Sequence, residues 1–244
     1  MKYYLDFEFI EGFHKPLFGK RRHFIDLISV GLIAEDGREY YAISTDFNPK
    51  DANTWVKENV ISKLPSKTFN GSNIHEAKLW KSNKTIADDI LKFVNPHMDG
   101  DKYYDTLEDA AFLEAHNIKG FNPDEQCPYF TWRAQPEFYG YFSAYDWVLF
   151  CSLFGRMIDL PKGFPMYCRD LKHMLDEKLD YKYMTHLPRV EKKQPEINSN
   201  NNIPLKNKLV WAKSLPTYPA AINEHNALDD AKWNKVLHEF INTL

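Results

Sequence analysis

The sequence predicts an α/β fold in which a mixed β-sheet is flanked by helices. Three strand-like segments come first, one over residues 2–9 and two within residues 23–47, and they should form an antiparallel meander. Helical and strand-like segments then alternate, which is the pattern expected when helices pack on the faces of a sheet. A chain of 244 residues is long enough for a sizeable core, so we expect residues 1–244 to form a single domain.

The second and third strands are predicted to form a hairpin. A segment rich in Val, Ile and Leu leads to Asp36 and Gly37, a two-residue signal for a tight turn, and an alternating segment follows it. The residues that join the first two strands, 14–24, should form a connecting loop.

Amphipathic helices are predicted where apolar residues recur every three or four positions. The first has Trp55, Val56 and Val60 on its apolar face, and the last, near the C-terminus, has Trp233 and Val236 on a longer one. The predicted helices lie within residues 51–65, 83–94 and 169–179, from about Asp146 onward, and within residues 224–244.

Two segments are predicted to be insertions. Residues 95–130 contain a stretch that could be helical, but its flanks are rich in Pro, Gly and Asp. Residues 190–208 are rich in Asn and Lys with little apolar content, which indicates a flexible loop.

The composition excludes several classes of protein. The formal net charge of −3 gives no global basic field of the kind that announces nucleic-acid binding, although acids that hold cations would leave the remaining surface more basic. Cys127, Cys151 and Cys168 include no CxxC pair, which argues against a disulfide framework or a thiolate zinc site. No segment approaches membrane-spanning length and no leader pattern precedes the first strand. We therefore expect a soluble, cytoplasmic protein with no membrane partner.

The first strand has two acids in an apolar setting. In a strand, Tyr4, Asp6 and Glu8 would share one face, while Phe7 and Phe9 would point to the opposite face and belong to the core. Two like charges side by side repel each other and lose hydration when partly buried. Either a positive group lies between them or they belong to an exposed edge.

Three further acids and a histidine lie at helix starts. Asp146 follows a strand and begins an apolar helix, and His225, Asp229 and Asp230 surround the start of the last helix. Taken singly, Asp146 could cap its helix, and the other acids could be a solvated first turn. At ~100° per residue, helix geometry does not choose between Asp229 and Asp230.

Together these motifs resemble a known family. Asp-x-Glu on the first strand, Asp at a later strand-to-helix junction and His-x4-Asp near the C-terminus resemble the DEDDh 3′–5′ exonucleases, which have a ribonuclease H-like fold. "YYLDFEFIEG" and "HNALDDAKWN" are similar to the small bacterial 3′–5′ exoribonucleases first described from mycobacteria. The resemblance covers residues 1–65 well and then 84–94, 136–155 and 211–244, but neither predicted insertion.

The resemblance implies a role for each residue of the set. Asp6, Glu8, Asp146 and Asp230 would hold two divalent cations, Mg²⁺ or Mn²⁺, and His225 would be the general base that deprotonates the attacking water. Hard cations prefer carboxylate oxygens, and a histidine of ordinary pKa accepts a proton at neutral pH. The choice of Asp230 over Asp229 rests on the resemblance alone.

The resemblance also implies the substrate, single-stranded RNA or an RNA 3′ overhang. The residues themselves do not separate RNA from DNA, so a DNA exonuclease with the same site is an alternative. A catalytically silent module that binds nucleic acid or protein is another alternative. Some relatives form dimers, so a homodimer is also expected.

A basic segment offers candidate substrate-binding residues. Lys20, Arg21 and Arg22 lie in the 14–24 segment together with aromatic residues, a combination that can hold phosphates and stack bases. A solubilising loop would have the same composition.

Overall fold

The computed structural model describes six stretches of the chain. They are residues 1–14, 19–68, 74–94, 135–186, 205–221 and 223–244. The predicted insertion at 95–130 and most of the one at 190–208 lie outside the described residues.

The described strands form one six-stranded mixed sheet, which confirms the predicted α/β fold and is consistent with a ribonuclease H-like arrangement. The order is β4-β3-β2-β1-β5-β6. β1, β2 and β3 pair antiparallel, as expected for the meander, whereas β4, β5 and β6 join the sheet in parallel. The strands are β1 (Lys2–His14), β2 (Arg22–Ala34), β3 (Glu39–Ser44), β4 (Trp80–Lys81), β5 (Glu137–Gly140) and β6 (Arg169–Asp170).

Helices cover both faces of the sheet. α3 and α4 pack on one face, and α5, α6 and α7 pack on the other. α1 extends that second face over a third apolar cluster. The helices are α1 (Thr54–Asn59), α2 (Ile74–Ala77), α3 (Asn83–Val94), α4 (Ala144–Phe154), α5 (Leu171–His186), α6 (Leu205–Ser214) and α7 (Ala227–Thr243). Within the described residues, none of these helices is long and apolar enough to cross a bilayer.

The alternation predicted for β1 is confirmed. Tyr3, Leu5 and Phe7 lie in the apolar cluster formed with α3 and α4. Tyr4 lies in the cluster formed with α5, α6 and α7. Since side chains two apart in a strand share a face, Asp6 points to the same side as Tyr4, toward α7.

Several local predictions are also confirmed. The β2–β3 turn is at Gly37, with φ of 92°, a conformation that glycine adopts without steric cost. The N–H of Arg38 donates to the Asp36 carboxylate at 3.1 Å, which fixes the turn. α3 spans the predicted residues 83–94, and its buried residues include Ile86 and Ile90.

Other predictions need correction. The first two strands are longer than expected: β1 continues to His14 and β2 begins at Arg22, so the 14–24 segment contributes to both strands. Residues 205–208, predicted to be loop, lie in the first turn of α6. Residues 169–170 form strand β6 rather than the start of a helix, because they pair in parallel with Tyr139 and Gly140.

Two residues predicted for apolar helix faces are exposed. Val236 on α7 is 47% exposed and Trp55 on α1 is 52% exposed. The core side of α1 is formed by Val56 instead, and Val60 just beyond the helix is buried as well.

Candidate active site

Three of the predicted acids come together on the α7 face of the sheet. Carboxylate oxygens of Asp6, Glu8 and Asp230 all lie within 4.8 Å of one another. Asp6 and Glu8 come from β1, and Asp230 comes from the first turn of α7. A group of three oxygen ligands this close is suited to a hard divalent cation such as Mg²⁺ or Mn²⁺.

The close approach of α7 to the sheet depends on Gly31. Gly31 is paired with Asp6 across the β1–β2 ladder. A Cβ atom at Gly31 would lie 2.2 Å from the Ala227 carbonyl oxygen, so any side chain there would push the start of α7 away from the strand. Gly31 was not among the predicted site residues, although a glycine inside a strand often marks such a close approach of another backbone.

The two neighbouring aspartates in the first turn of α7, Asp229 and Asp230, have different partners. The Asn226 side chain caps the helix by accepting from the N–H groups of Leu228 and Asp229, at 3.1 and 3.2 Å. The Asp229 carboxylate accepts from the Asn223 side-chain amide at 2.7 Å. The Asp230 carboxylate belongs to the acid cluster instead, and it accepts from the backbone N–H of His225 at 2.8 Å.

Asp146 lies beside the cluster in the first turn of α4 but outside the three-acid group. It is 7% exposed, and its Oδ1 atom accepts from the backbone N–H of Phe7, between Asp6 and Glu8, at 2.8 Å. The bond joins the start of α4 to β1. The alternative that Asp146 merely caps its helix leaves this bond unexplained.

The acids raise one another's pKa values. Burial, followed by the charges of Asp146, Glu8 and Asp230, holds the pKa of Asp6 well above its usual range. Burial and the charges of Asp230 and Asp146 raise the pKa of Glu8 to about 8.

The two remaining acids respond in the same direction. Burial raises the pKa of Asp146 to about 7, although the Phe7 N–H opposes this. Burial likewise raises the pKa of Asp230, against the opposing hydrogen bond from His225. Four carboxyl groups that resist ionisation together fit a site completed by cations, which would remove the repulsion expected from the sequence.

A lysine that sequence analysis missed lies near the acids. The charge of Lys63 lowers the pKa of Glu8, and its ammonium group donates to the Glu224 carbonyl oxygen at 3.2 Å. Glu224 directly precedes His225, so Lys63 ties the segment before α7 to the turn that follows α1.

His225 is held in a constrained position. Its φ of 68° is in the left-handed region, which costs free energy for a residue with a side chain. Its backbone N–H is bound by Asp230, and its ring lies edge-on to the Trp55 ring, with centroids 4.8 Å apart at 80°. Trp55 was predicted for the apolar face of its helix, and the apolar pattern gave no sign that it would be exposed next to a histidine.

The predicted substrate-binding residues lie away from the acid group. Lys20, Arg21 and Arg22 are exposed at the far end of the β1–β2 hairpin. β1 joins the two regions directly, since it contains Asp6 and Glu8 and continues to His14 beside Arg22.

Comparison with known proteins identifies the family. The chain is 32% identical over 178 residues to 3′-5′ exoribonucleases of Mycobacterium tuberculosis, from strains CDC 1551 / Oshkosh and H37Rv. The match covers 73% of this chain and 76% of each relative. The chain belongs to the mycobacterial-type 3′–5′ exoribonuclease family. A scan of protein-family models found no match.

The predicted site residues lie on elements that meet at one place in the fold. The family resemblance assigned Asp6, Glu8, Asp146, His225 and Asp230, and these residues converge where β1, α4 and α7 meet. Trp55, Lys63 and Gly31 extend the candidate site beyond that set.

Proposed function

We propose that the chain is a metal-dependent 3′–5′ exoribonuclease that hydrolyses phosphodiester bonds from the 3′ end of RNA. The observation that supports this most is the group of Asp6, Glu8 and Asp230 oxygens within 4.8 Å, in a chain related to 3′-5′ exoribonucleases. The RNA preference is taken from those relatives.

The four acids would hold two divalent cations, Mg²⁺ or Mn²⁺. Asp6, Glu8 and Asp230 converge from two elements, and Asp146 is positioned by the Phe7 N–H at 2.8 Å. Such cations, when bound, activate the attacking water and stabilise the charge on the leaving oxygen. The contribution of the chain is to keep three converging carboxylates, with Asp146 beside them, on rigid elements.

His225 would be the general base. This role is supported by the bond from its backbone N–H to Asp230, an acid of the cluster, and by the contact of its ring with the Trp55 ring. An imidazole accepts a proton from water at neutral pH when it is in the neutral form. Lys63 would stabilise this arrangement through the Glu224 carbonyl.

A time course on 5′-labelled single-stranded RNA tests the proposal. With Mg²⁺ or Mn²⁺ we expect a ladder that shortens from the 3′ end, and no ladder with EDTA. Asp230→Asn and His225→Ala should lose at least about 100-fold in rate, as expected for a ligand or a general base. Asp229→Asn is the matched control, because this neighbouring carboxylate is bound to Asn223.

The same assay separates the alternatives. Cleavage of a DNA oligonucleotide of the same sequence at an equal or faster rate would contradict the RNA preference. Binding without shortening, even with Mn²⁺, would indicate a silent binding module, an outcome that the four converging acids argue against.

A homodimer is also proposed on the basis of the resemblance. The exposed apolar side chains of Val148 on α4, at 51%, and of Met157 and Ile158 just after it, at 51% and 70%, have the chemistry expected of residues that contact a second copy. The mass in solution, measured by light scattering after gel filtration, decides between monomer and dimer.

A further inference from the structure

The β1–β2 hairpin extends well beyond the acid group. Residues 11–14 and 19–25 form this extension, which we call the arm, and they pair antiparallel as far as His14 and Arg22. Phe13 is five residues beyond Glu8 along β1. At ~3.4 Å per residue, Phe13 lies ~17 Å along β1 from Glu8, and its side chain is on the same side of the sheet as that of Phe9, toward α4.

The arm presents an exposed aromatic ring with cationic neighbours. Phe13 is 55% exposed, and the Arg21 guanidinium lies over one face of its ring, 4.4 Å from the ring centre. The His23 ring lies edge-on to Phe13, with centroids 5.4 Å apart. An aromatic face beside a guanidinium is the combination that stacks bases and holds phosphates in single-strand binding.

The base of the arm is fixed to the candidate active site. The Tyr145 ring lies 5.6 Å from the Phe9 ring, and its hydroxyl donates to Glu11 at 3.3 Å. Tyr145 is 43% exposed and immediately precedes Asp146. A two-stranded hairpin alone is marginally stable, and these contacts with α4 stabilise the base of the arm.

The charges of the arm suit a polyanion. Lys20, Arg21 and Arg22 are exposed at its end. The acid Glu11 lies 2.9 Å from the His23 ring nitrogen and accepts from the Tyr145 hydroxyl, so its carboxylate is bound near the base of the arm. The end of the arm is therefore basic, although the whole chain has a net charge of −3.

We propose that the arm binds single-stranded RNA upstream of the bond that is cut, with a base stacked on Phe13 and phosphates held by Arg21 and Arg22. This inference rests on the proposed function. An enzyme that removes the last nucleotide has only one nucleotide beyond the scissile phosphate, so a surface ~17 Å away meets only the 5′ part of the substrate.

The length of the arm sets the length of substrate that benefits from it. At ~3.4 Å per stacked nucleotide, ~17 Å corresponds to about five nucleotides. RNA of three nucleotides is too short to occupy the acid group and the arm together. A ten-nucleotide RNA reaches both.

Binding is tested first, with the full chain in EDTA so that nothing is cut. The probe is 5′-fluorescein-labelled ten-nucleotide oligouridine, and Kd is measured by fluorescence anisotropy over a series of salt concentrations. Phe13→Ala combined with Arg21→Gln should weaken binding at least about fivefold, the lower limit for loss of one stacked base. The slope of log Kd against log salt should fall by ~0.7 for the lost phosphate contact.

Two variants control for changes in folding and overall charge. Phe13→Tyr keeps an aromatic face and should keep wild-type affinity. Lys84→Gln removes an exposed cation on α3, where the lysine pairs with Asp88, and should change neither Kd nor slope beyond error. Equal affinity and slope in wild type and the Phe13/Arg21 double variant would overturn the proposal, as would no measurable binding by wild type.

Cleavage kinetics separate the arm from the catalytic proposal. In Mn²⁺, the double variant should lose kcat/KM on the ten-nucleotide RNA and keep it on the three-nucleotide RNA. Equal losses on both lengths would contradict a role for the arm in binding upstream RNA. Arm-dependent binding with no cleavage of either RNA would instead contradict the exoribonuclease function and leave the arm as an RNA-binding element. A DNA ten-mer run in parallel shows whether the arm distinguishes the two sugars.

Discussion

At Gly31, the absence of a side chain determines whether Asp230 reaches β1. Gly31→Ala would place a Cβ atom 2.2 Å from the Ala227 carbonyl oxygen, and helix backbone cannot yield as a flexible side chain does. We expect a loss of ~1–3 kcal/mol of stability, typical of overpacking, together with weaker binding of Mn²⁺. Thermal melting and titration calorimetry measure the two effects.

Gly37→Ala is the matched control for Gly31→Ala. Gly37 has φ of 92° and nothing near its missing Cβ, so alanine there strains the β2–β3 turn without touching the acids. It should lower the melting temperature and leave Mn²⁺ affinity unchanged. Unchanged Mn²⁺ affinity in Gly31→Ala would mean that α7 does not depend on this close approach.

Trp55 is expected to position the His225 ring. Trp55→Ala removes the edge-on contact at 4.8 Å and should lower kcat about 10- to 100-fold, as small misplacements of a reacting group do. Trp55→Phe keeps an aromatic edge and should restore most of the rate. Mn²⁺ affinity should stay at the wild-type value in both variants, and the pH dependence of kcat should change only in Trp55→Ala. A change in KM with kcat unchanged in both variants would indicate that Trp55 contacts the substrate instead of positioning His225.

Among elements, α7 depends on its N-terminal cap. Asn226 accepts from two backbone N–H groups of the first turn, which contains Asp230. Asn226→Ala should cost ~1 kcal/mol of stability, as loss of a capping side chain does, and should also weaken Mn²⁺ binding. Asn53→Ala removes the equivalent cap of α1 and serves as the control, since α1 holds no acid of the cluster. If Asn226→Ala and Asn53→Ala bind Mn²⁺ with equal affinity, the cap of α7 is not needed to position Asp230.

Sequence patterns predicted some elements better than others, for physical reasons. β1 was assigned with its two faces because side chains alternate strictly in a strand, and α3 because its apolar residues follow the helical period. β6 is two residues long, and its pairing with β5 comes from the fold rather than from local preference. α6 lies at the end of a segment rich in Asn and Lys, and its packing against α5 and α7 has no equivalent in local composition.

The candidate site shows the same division between local and long-range information. The shared face of Asp6 and Glu8 follows from strand geometry, whereas the meeting of β1, α4 and α7 came from family resemblance. Gly31, Trp55 and Lys63 were missed because each acts through a residue distant in sequence. The length of the arm was underestimated because His14 and Arg22 are paired only once the hairpin forms.

For the whole molecule, the raised carboxyl pKa values predict how stability depends on pH without metal. Glu8 has a pKa of about 8 in the folded chain, above the ordinary value of 4.5. The folded state therefore holds its proton more tightly than the unfolded state does. The stability that this supplies is complete at low pH and is lost as pH rises through about 8. In EDTA we expect the chain to be less stable at pH 9 than at pH 7.

The expected loss between pH 7 and pH 9 is ~1 kcal/mol from Glu8, or a decrease of ~2–4 °C in melting temperature. Glu8→Gln removes one titrating group and should weaken the dependence, while Asp6 and Asp146 still titrate; Glu58→Gln, at an exposed position on α1, should leave it unchanged. Asp6→Asn should keep or slightly raise the metal-free melting temperature, since a repelling charge is removed, while abolishing cleavage.

Saturating Mg²⁺ should reverse the decrease in melting temperature between pH 7 and pH 9, because a bound cation favours the ionised carboxylates. A metal-free melting temperature that rises from pH 7 to pH 9, or falls equally in Glu8→Gln, would contradict the repulsion that makes these acids a cation site.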